Sequence, residues 1–170
     1  MDSRNGVEFN DRADVFFDRK GHLKSNFNTA LSANSQRKVV TNQDGTEFHM
    51  VYEDNGEIWY SKSTDEGSSW GVEELLSIGP DKGNAYPSVA INEGDGSLYV
   101  AWQRDLGNGS YDILFNKRSS SGWGTPKTVT ADVSPPSGTL PQPVVSIKRS
   151  GEGTLTNRIM VMFYLRKQYP

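Results

Sequence analysis

The chain of 170 residues has no cysteine, which excludes disulfides, thiolate catalysis and cysteine-held zinc. That absence does not fix a compartment. Histidine is scarce as well: His22 and His49 stand far apart in the sequence, so no metal site and no cofactor is expected. Long apolar runs are missing. No stretch approaches the ~20 apolar residues that cross a bilayer, and the opening residues are polar and charged without the apolar core of a signal peptide. No membrane span is expected. Positive charge is not in excess, since 18 Lys and Arg against 21 Asp and Glu leave a formal charge of −3. The basic residues are scattered and offer phosphate backbones no patch, which excludes nucleic acid as a partner.

What the chain has is turn chemistry and aromatic side chains: 17 Gly, 8 Pro, 4 Trp, 7 Tyr and 7 Phe. The apolar residues come in short alternating bursts between Gly-, Asp- and Asn-rich stretches. That pattern predicts many short strands joined by tight turns, an all-β protein.

A repeat organises those strands. The apolar run 48–54 aligns with 98–104, fifty positions later, and again with 159–165. Ahead of each lies a shorter strand, at 37–41, 87–91 and 143–147, and the connections carry Asp44-Gly45, Asp95-Gly96 and Gly151-Glu152-Gly153. These are residues that supply the positive φ of tight hairpins. A third strand follows at 57–62 and 111–117, and a more polar fourth at 72–76 and 126–130. Four antiparallel strands per unit, polar at the fourth, is the layout of a β-propeller blade. Residues 36–79 and 80–133 read as whole blades and 134–170 as a partial one, about two and a half to three blades in all. Such units do not close a ring alone, so the expectation is a fragment or a ring completed by partner chains. The same strands also fit an open two-sheet sandwich. Residues 1–35, with the apolar cluster Val15-Phe16-Phe17, read as an N-terminal arm or as a strand of a neighbouring blade.

Between the third and fourth strands of the first unit stand Ser63, Asp65, Gly67 and Trp70 in the spacing S-x-D-x-G-x-x-W. An Asp in a tight loop accepts bonds from nearby N–H groups, Gly takes the positive φ, and Trp plugs the core. The stretch resembles the Asp-box, or BNR repeat, of the sialidase-like propellers. Residues 119–124 keep the Gly and Trp without the Asp, as a degenerate copy. The resemblance implies that these four residues are structural and lie on the face opposite the ligand site. It also implies a secreted, periplasmic or cell-surface protein.

Strand order then selects the other rim. The candidate ligand-binding residues are Arg37, Glu53, Asp54, Tyr86, Arg104 and Asp105. Sialidases clamp a carboxylate with arginines and use a Tyr–Glu pair and an Asp acid/base. Arg37 stands where that family's first arginine opens an inner strand, although the flanking Lys38-Val39 departs from the Arg-Ile-Pro type of motif. Glu53 and Asp54 are the nearest acid/base candidates. Arg104 either points to a central pocket or pairs with Asp105 or Asp54 at the surface. Tyr86 is the best exposed aromatic platform, whereas Trp59, Tyr60, Tyr99, Trp102 and Tyr111 either stack on sugars or fill cores, their alternation favouring cores. Catalytic residues cannot be assigned on this chain. The function expected is a non-catalytic module that binds a glycan or a protein as part of a larger protein. The alternatives are a fragment of an exo-acting glycosidase of sialidase type, or an architectural subunit that associates with itself or with partner chains through open blade edges.

Overall fold

The computed structural model describes residues 37–78, 83–148 and 158–167. The segment 1–35 and the Gly151-Glu152-Gly153 connection lie outside these residues. Every regular element among the described residues is a strand: β1 (Val39–Thr41), β2 (Phe48–Asp54), β3 (Glu57–Ser63), β4 (Glu74–Leu75), β5 (Asn84–Ile91), β6 (Leu98–Asp105), β7 (Tyr111–Ser119), β8 (Gly122–Trp123), β9 (Lys127–Val133), β10 (Thr139–Lys148) and β11 (Arg158–Lys167). The chain is thus all-β and antiparallel. The first sheet has the order β1-β2-β3-β4, the second β5-β6-β7 with β8 and β9 both on β7, and the third pairs β10 with β11.

Alternation along each strand decides what is buried. In the first sheet Val40, Val51, Ile58 and Tyr60 share one face and Phe48, Met50, Tyr52 and Trp59 the other. The second sheet is covered on both faces. Val89, Leu98, Val100, Trp102 and Leu114 pack against the first sheet's Val40, Val51, Ile58 and Tyr60, with Leu76. From its other face Ala90, Tyr99 and Ala101 pack on Val145, with Ile147 and Val161 beside it. Full burial of such an aliphatic or aromatic side chain contributes roughly 1.5–3 kcal/mol. The arrangement is therefore three sheets stacked face to face, not the two layers of a sandwich. Among the described residues no sheet closes into a barrel and the sheets form no closed ring.

Polar bonds fix how the sheets meet. Val89 N–H donates to the Arg37 carbonyl at 2.8 Å, and Asn84 donates to the Gly56 carbonyl from its backbone N–H at 3.0 Å and from Nδ2 at 3.1 Å. Trp102, fully buried, donates from Nε1 to Asn84 Oδ1 at 2.9 Å. Val145 N–H repeats the pattern one sheet on by donating to Ser88 Oγ at 3.3 Å. The fifty-residue repeat is also a repeat of register, with Val39 opposite Met50 and Val89 opposite Val100.

The Ser63–Trp70 turn is a self-contained unit. Asp65 Oδ1 accepts from Ser63 Oγ at 2.8 Å and from Ser69 N–H at 2.6 Å, while Ser69 Oγ bonds Oδ2. Ser63 Oγ accepts from Gly67 N–H at 2.8 Å. Glu66 and Gly67 take the positive φ values, 57° and 83°. Trp70 packs against Met50 and Tyr52. In the second sheet the corresponding turn is a hairpin in its own right: Arg118 pairs with Trp123 and Ser119 with Gly122. Both turns close alike, with Gly71 N–H donating to the Lys62 carbonyl at 2.7 Å and Gly124 N–H to the Lys117 carbonyl at 2.9 Å.

Candidate functional site

The strand ends away from the Ser63–Trp70 turn converge on a cavity of about 430 Å³ whose walls come from all three sheets. The first sheet supplies Glu53 and the Asn55-Gly56 turn. The second supplies Gln103 and Asp105 from β6, Tyr86 from β5 and Tyr111 from β7, and Leu140 of β10 closes the third side. Asn55 and Gly56 have φ of 50° and 71°, the two positive values that the tight β2–β3 connection requires.

Tyr86 owes its position to a bulge. The β5–β6 register shifts between Ala85 and Ser88, and Tyr86 itself has φ 54°. A bulge re-aims the side chains beside it, and a bulky residue at positive φ is held there by its surroundings. Asp105 is placed by a close backbone approach: its N–H donates to the Gly83 carbonyl at 2.9 Å. A Cβ on Gly83 would meet Asp105 Cβ and O at 3.2 Å. The Asp105 carboxylate also accepts from Gly107 N–H at 2.7 Å.

Burial raises the Glu53 carboxyl above its usual range, against the opposing pull of a Tyr86 backbone hydrogen bond and the Lys38 charge, while Asp54 adds to the rise. Burial lowers Lys38 to about 7, partly offset by Glu53, and its Nζ donates to the Pro87 carbonyl at 2.7 Å. Tyr111 is raised by burial, by Asp105 and by Tyr86. Gln103 is 3% exposed, and its Oε1 has no hydrogen-bond partner. The cavity wall is thus rich in acceptors and phenol rings.

Of the six residues singled out from the sequence, the cavity gathers Glu53, Tyr86 and Asp105. Arg37 lines a separate cavity of about 400 Å³ between β5 and β10, with Asn92 and Glu93. Arg104 pairs with Asp112 at 2.6 Å and lines a third cavity of about 220 Å³ beside Ser77, Asn84 and Trp102. Asp54 lines none of these three and reaches the site through its charge on Glu53. Sequence reasoning passed over Gln103 and left Tyr111 between sugar stacking and the core, favouring the core. The signal for Gln103 was a polar residue on the alternating face of Tyr99 and Ala101.

Among the described residues no group of three or more His, Cys, Asp or Glu is placed to hold a metal ion, and no helix is long and apolar enough to cross a membrane. Fold and site together define an all-β protein of stacked antiparallel sheets with an acceptor-rich cavity at their junction. Compared with protein-family models, curated proteins and solved structures, the chain matches none.

Proposed function

We propose that the three sheets are successive blades of a sialidase-like Asp-box β-propeller, and that the cavity at their junction binds a glycan without hydrolysing it. The fifty-residue repeat of register, the meandering strand order and the equivalent Trp-Gly turns support the blade reading. The observation that carries the function is the cavity itself, where Tyr86 and Tyr111 offer rings for a sugar face while Glu53, Asp105 and Gln103 offer acceptors for its hydroxyls. By the resemblance, the parent protein is secreted, periplasmic or cell-surface, and a protein ligand on the same rim is the competing occupant.

The raised carboxyl of Glu53 favours a second reading, a fragment of an exo-acting glycosidase with Glu53 as proton donor. The two are separated by one set of measurements. The binding reading expects retention on an immobilised glycan panel, lost in Tyr111→Ala and Glu53→Gln, with no turnover of fluorogenic glycosides. Turnover of a fluorogenic glycoside that disappears in Glu53→Gln would replace it with the glycosidase.

A further inference from the structure

We infer that a second copy of this chain docks head to tail, setting the Val39 face of its first sheet on the Ser146, Met160 and Met162 face of the third sheet. The two joints inside the chain set the pattern. Each sheet carries a valine at the same register position: Val39 opposite Met50, Val89 opposite Val100 and Val145 opposite Val161. Val89 is packed in one cluster with Val40 and Val51 of the first sheet, and Val145 in another with Ala90 and Ala101 of the second. Val40 and Ala90 each follow their own sheet's valine, and Val51 and Ala101 each follow that valine's partner. One rule therefore governs both joints: the valine face of a sheet covers the residues one step on in the sheet before it. A hydrogen bond accompanies each, from Val89 N–H to the Arg37 carbonyl at 2.8 Å and from Val145 N–H to Ser88 Oγ at 3.3 Å.

The same rule leaves one half of a joint at each end of the stack. Val89 and Val145 are 0% and 4% exposed, whereas Val39 is 40% exposed. Trp70 packs with Met50 and Tyr52 on that face, and Phe48 and Trp59 beside them are half-buried. In the third sheet the residues one step on are Ser146, after Val145, and Met162, after Val161. Met162 is 55% exposed, and Met160, opposite Ser146 on the same face, is 41% exposed. The apolar surface at one end is thus the counterpart of the apolar surface at the other. Two different, complementary end faces make a heterologous contact, which joins copies in sequence and not face to like face. Unbranched methionine adapts to the side chains it meets, and burial of apolar area on both copies drives the association.

The test is light scattering on the whole chain and on two single variants over a range of concentrations. The wild type is expected to rise in mass with concentration; a rise to a fixed multiple marks a closed ring and an unlimited rise an open stack, and both support the contact. Val39→Lys and Met162→Lys each place an ammonium in the apolar joint, and each alone is expected to stay at the mass of a single chain. Mixed in equal amounts they regain one intact joint, Met162→Lys supplying the Val39 face and Val39→Lys the methionine face, so the mass is expected to reach that of a pair and stop there. Because the chain has no cysteine, Val39→Cys and Met162→Cys give a second reading: a bismaleimide is expected to link the mixture and neither variant alone. A wild type that stays monomeric at every concentration overturns the inference and leaves the methionine face to a different partner. A Lys variant that associates alone, or Cys variants that link only to themselves or not at all, overturns it as well.

Discussion

Asp65 lies on the surface, yet its carboxylate organises a whole turn by accepting from Ser63 Oγ and from Ser69 N–H and Oγ. Asp65→Ala removes these bonds and is expected to cost about 1–3 kcal/mol, read as a lower midpoint in urea unfolding, with cavity binding unchanged. Trp102 is a different case, because its ring fills the core between two sheets while Nε1 satisfies Asn84 Oδ1. Trp102→Phe keeps much of the packing but leaves that acceptor unmet, and about 1–3 kcal/mol of destabilisation is expected; calorimetric melting checks it. His49 ties stability to pH. It is 4% exposed, its Nδ1 meets Tyr60 Oη at 2.8 Å, and burial lowers its pKa from 6.5 to about 4, with Lys62 and Arg118 adding to the fall and Glu47 opposing it. Between those values the unfolded chain binds the proton that the folded one refuses. Stability is therefore fully present above pH 6.5 and declines as pH falls toward about 4, by at most roughly 3 kcal/mol. Urea midpoints across that range are expected to slope in the wild type and flatten in His49→Gln.

At the scale of the element, the two Trp-Gly closures make a paired prediction. A Cβ at Gly71 would stand 3.2 Å from the Lys62 carbonyl oxygen, and one at Gly124 would stand 3.3 Å from Asn116 Oδ1 and 3.4 Å from the Lys117 carbonyl oxygen. Gly71→Ala and Gly124→Ala are each expected to lose about 1 kcal/mol, because the first meets backbone and the second meets a buried amide held by the Gly124 carbonyl and the Lys117 N–H; thermal melts check both. The strands were legible because alternation and Gly-bearing turns mark them: the expected 48–54 and 98–104 return as β2 and as β6, which runs one residue longer. Where the reading fell short, a local feature broke the alternation. It began β5 at Pro87 and β10 at Pro143, whereas the strands begin at Asn84 and Thr139. Proline reads as a breaker, but β5 and β10 are edge strands of their sheets, where a missing N–H breaks no ladder. In β5 the bulge and the positive φ of Tyr86 hid the rest. The site was legible only in part for another reason. Loops at one end of the strands pointed to Glu53, Tyr86 and Asp105, but Arg37 shares that strand end with them in sequence and not in space. Which long side chains converge depends on how the sheets stack, and periodicity within a strand does not encode that.

For the whole molecule, equivalent positions have unequal surroundings. Val89 is fully buried, whereas Val39, its counterpart in the first sheet, is 40% exposed; Met160 and Met162 on the third sheet are 41% and 55% exposed. Apolar surface of this kind on a sheet invites a further sheet. Concentration-dependent mass is expected in light scattering, reduced by Val39→Lys combined with Met162→Lys. A mass that stays monomeric at every concentration would argue that these faces are not used for association.

The three-sheet origin of the cavity has a mechanical corollary. Gly56, Asn84 and Leu140 bring three layers to one point, so whatever occupies that point is also a cross-brace. Occupancy adds its own binding free energy to the docked arrangement, about 2.7 kcal/mol at a hundredfold excess over Kd. Amide exchange at Asn84, whose N–H bridges two layers through the Gly56 carbonyl, is then expected to slow as ligand is added, making one backbone proton a gauge of how firmly the layers are held together.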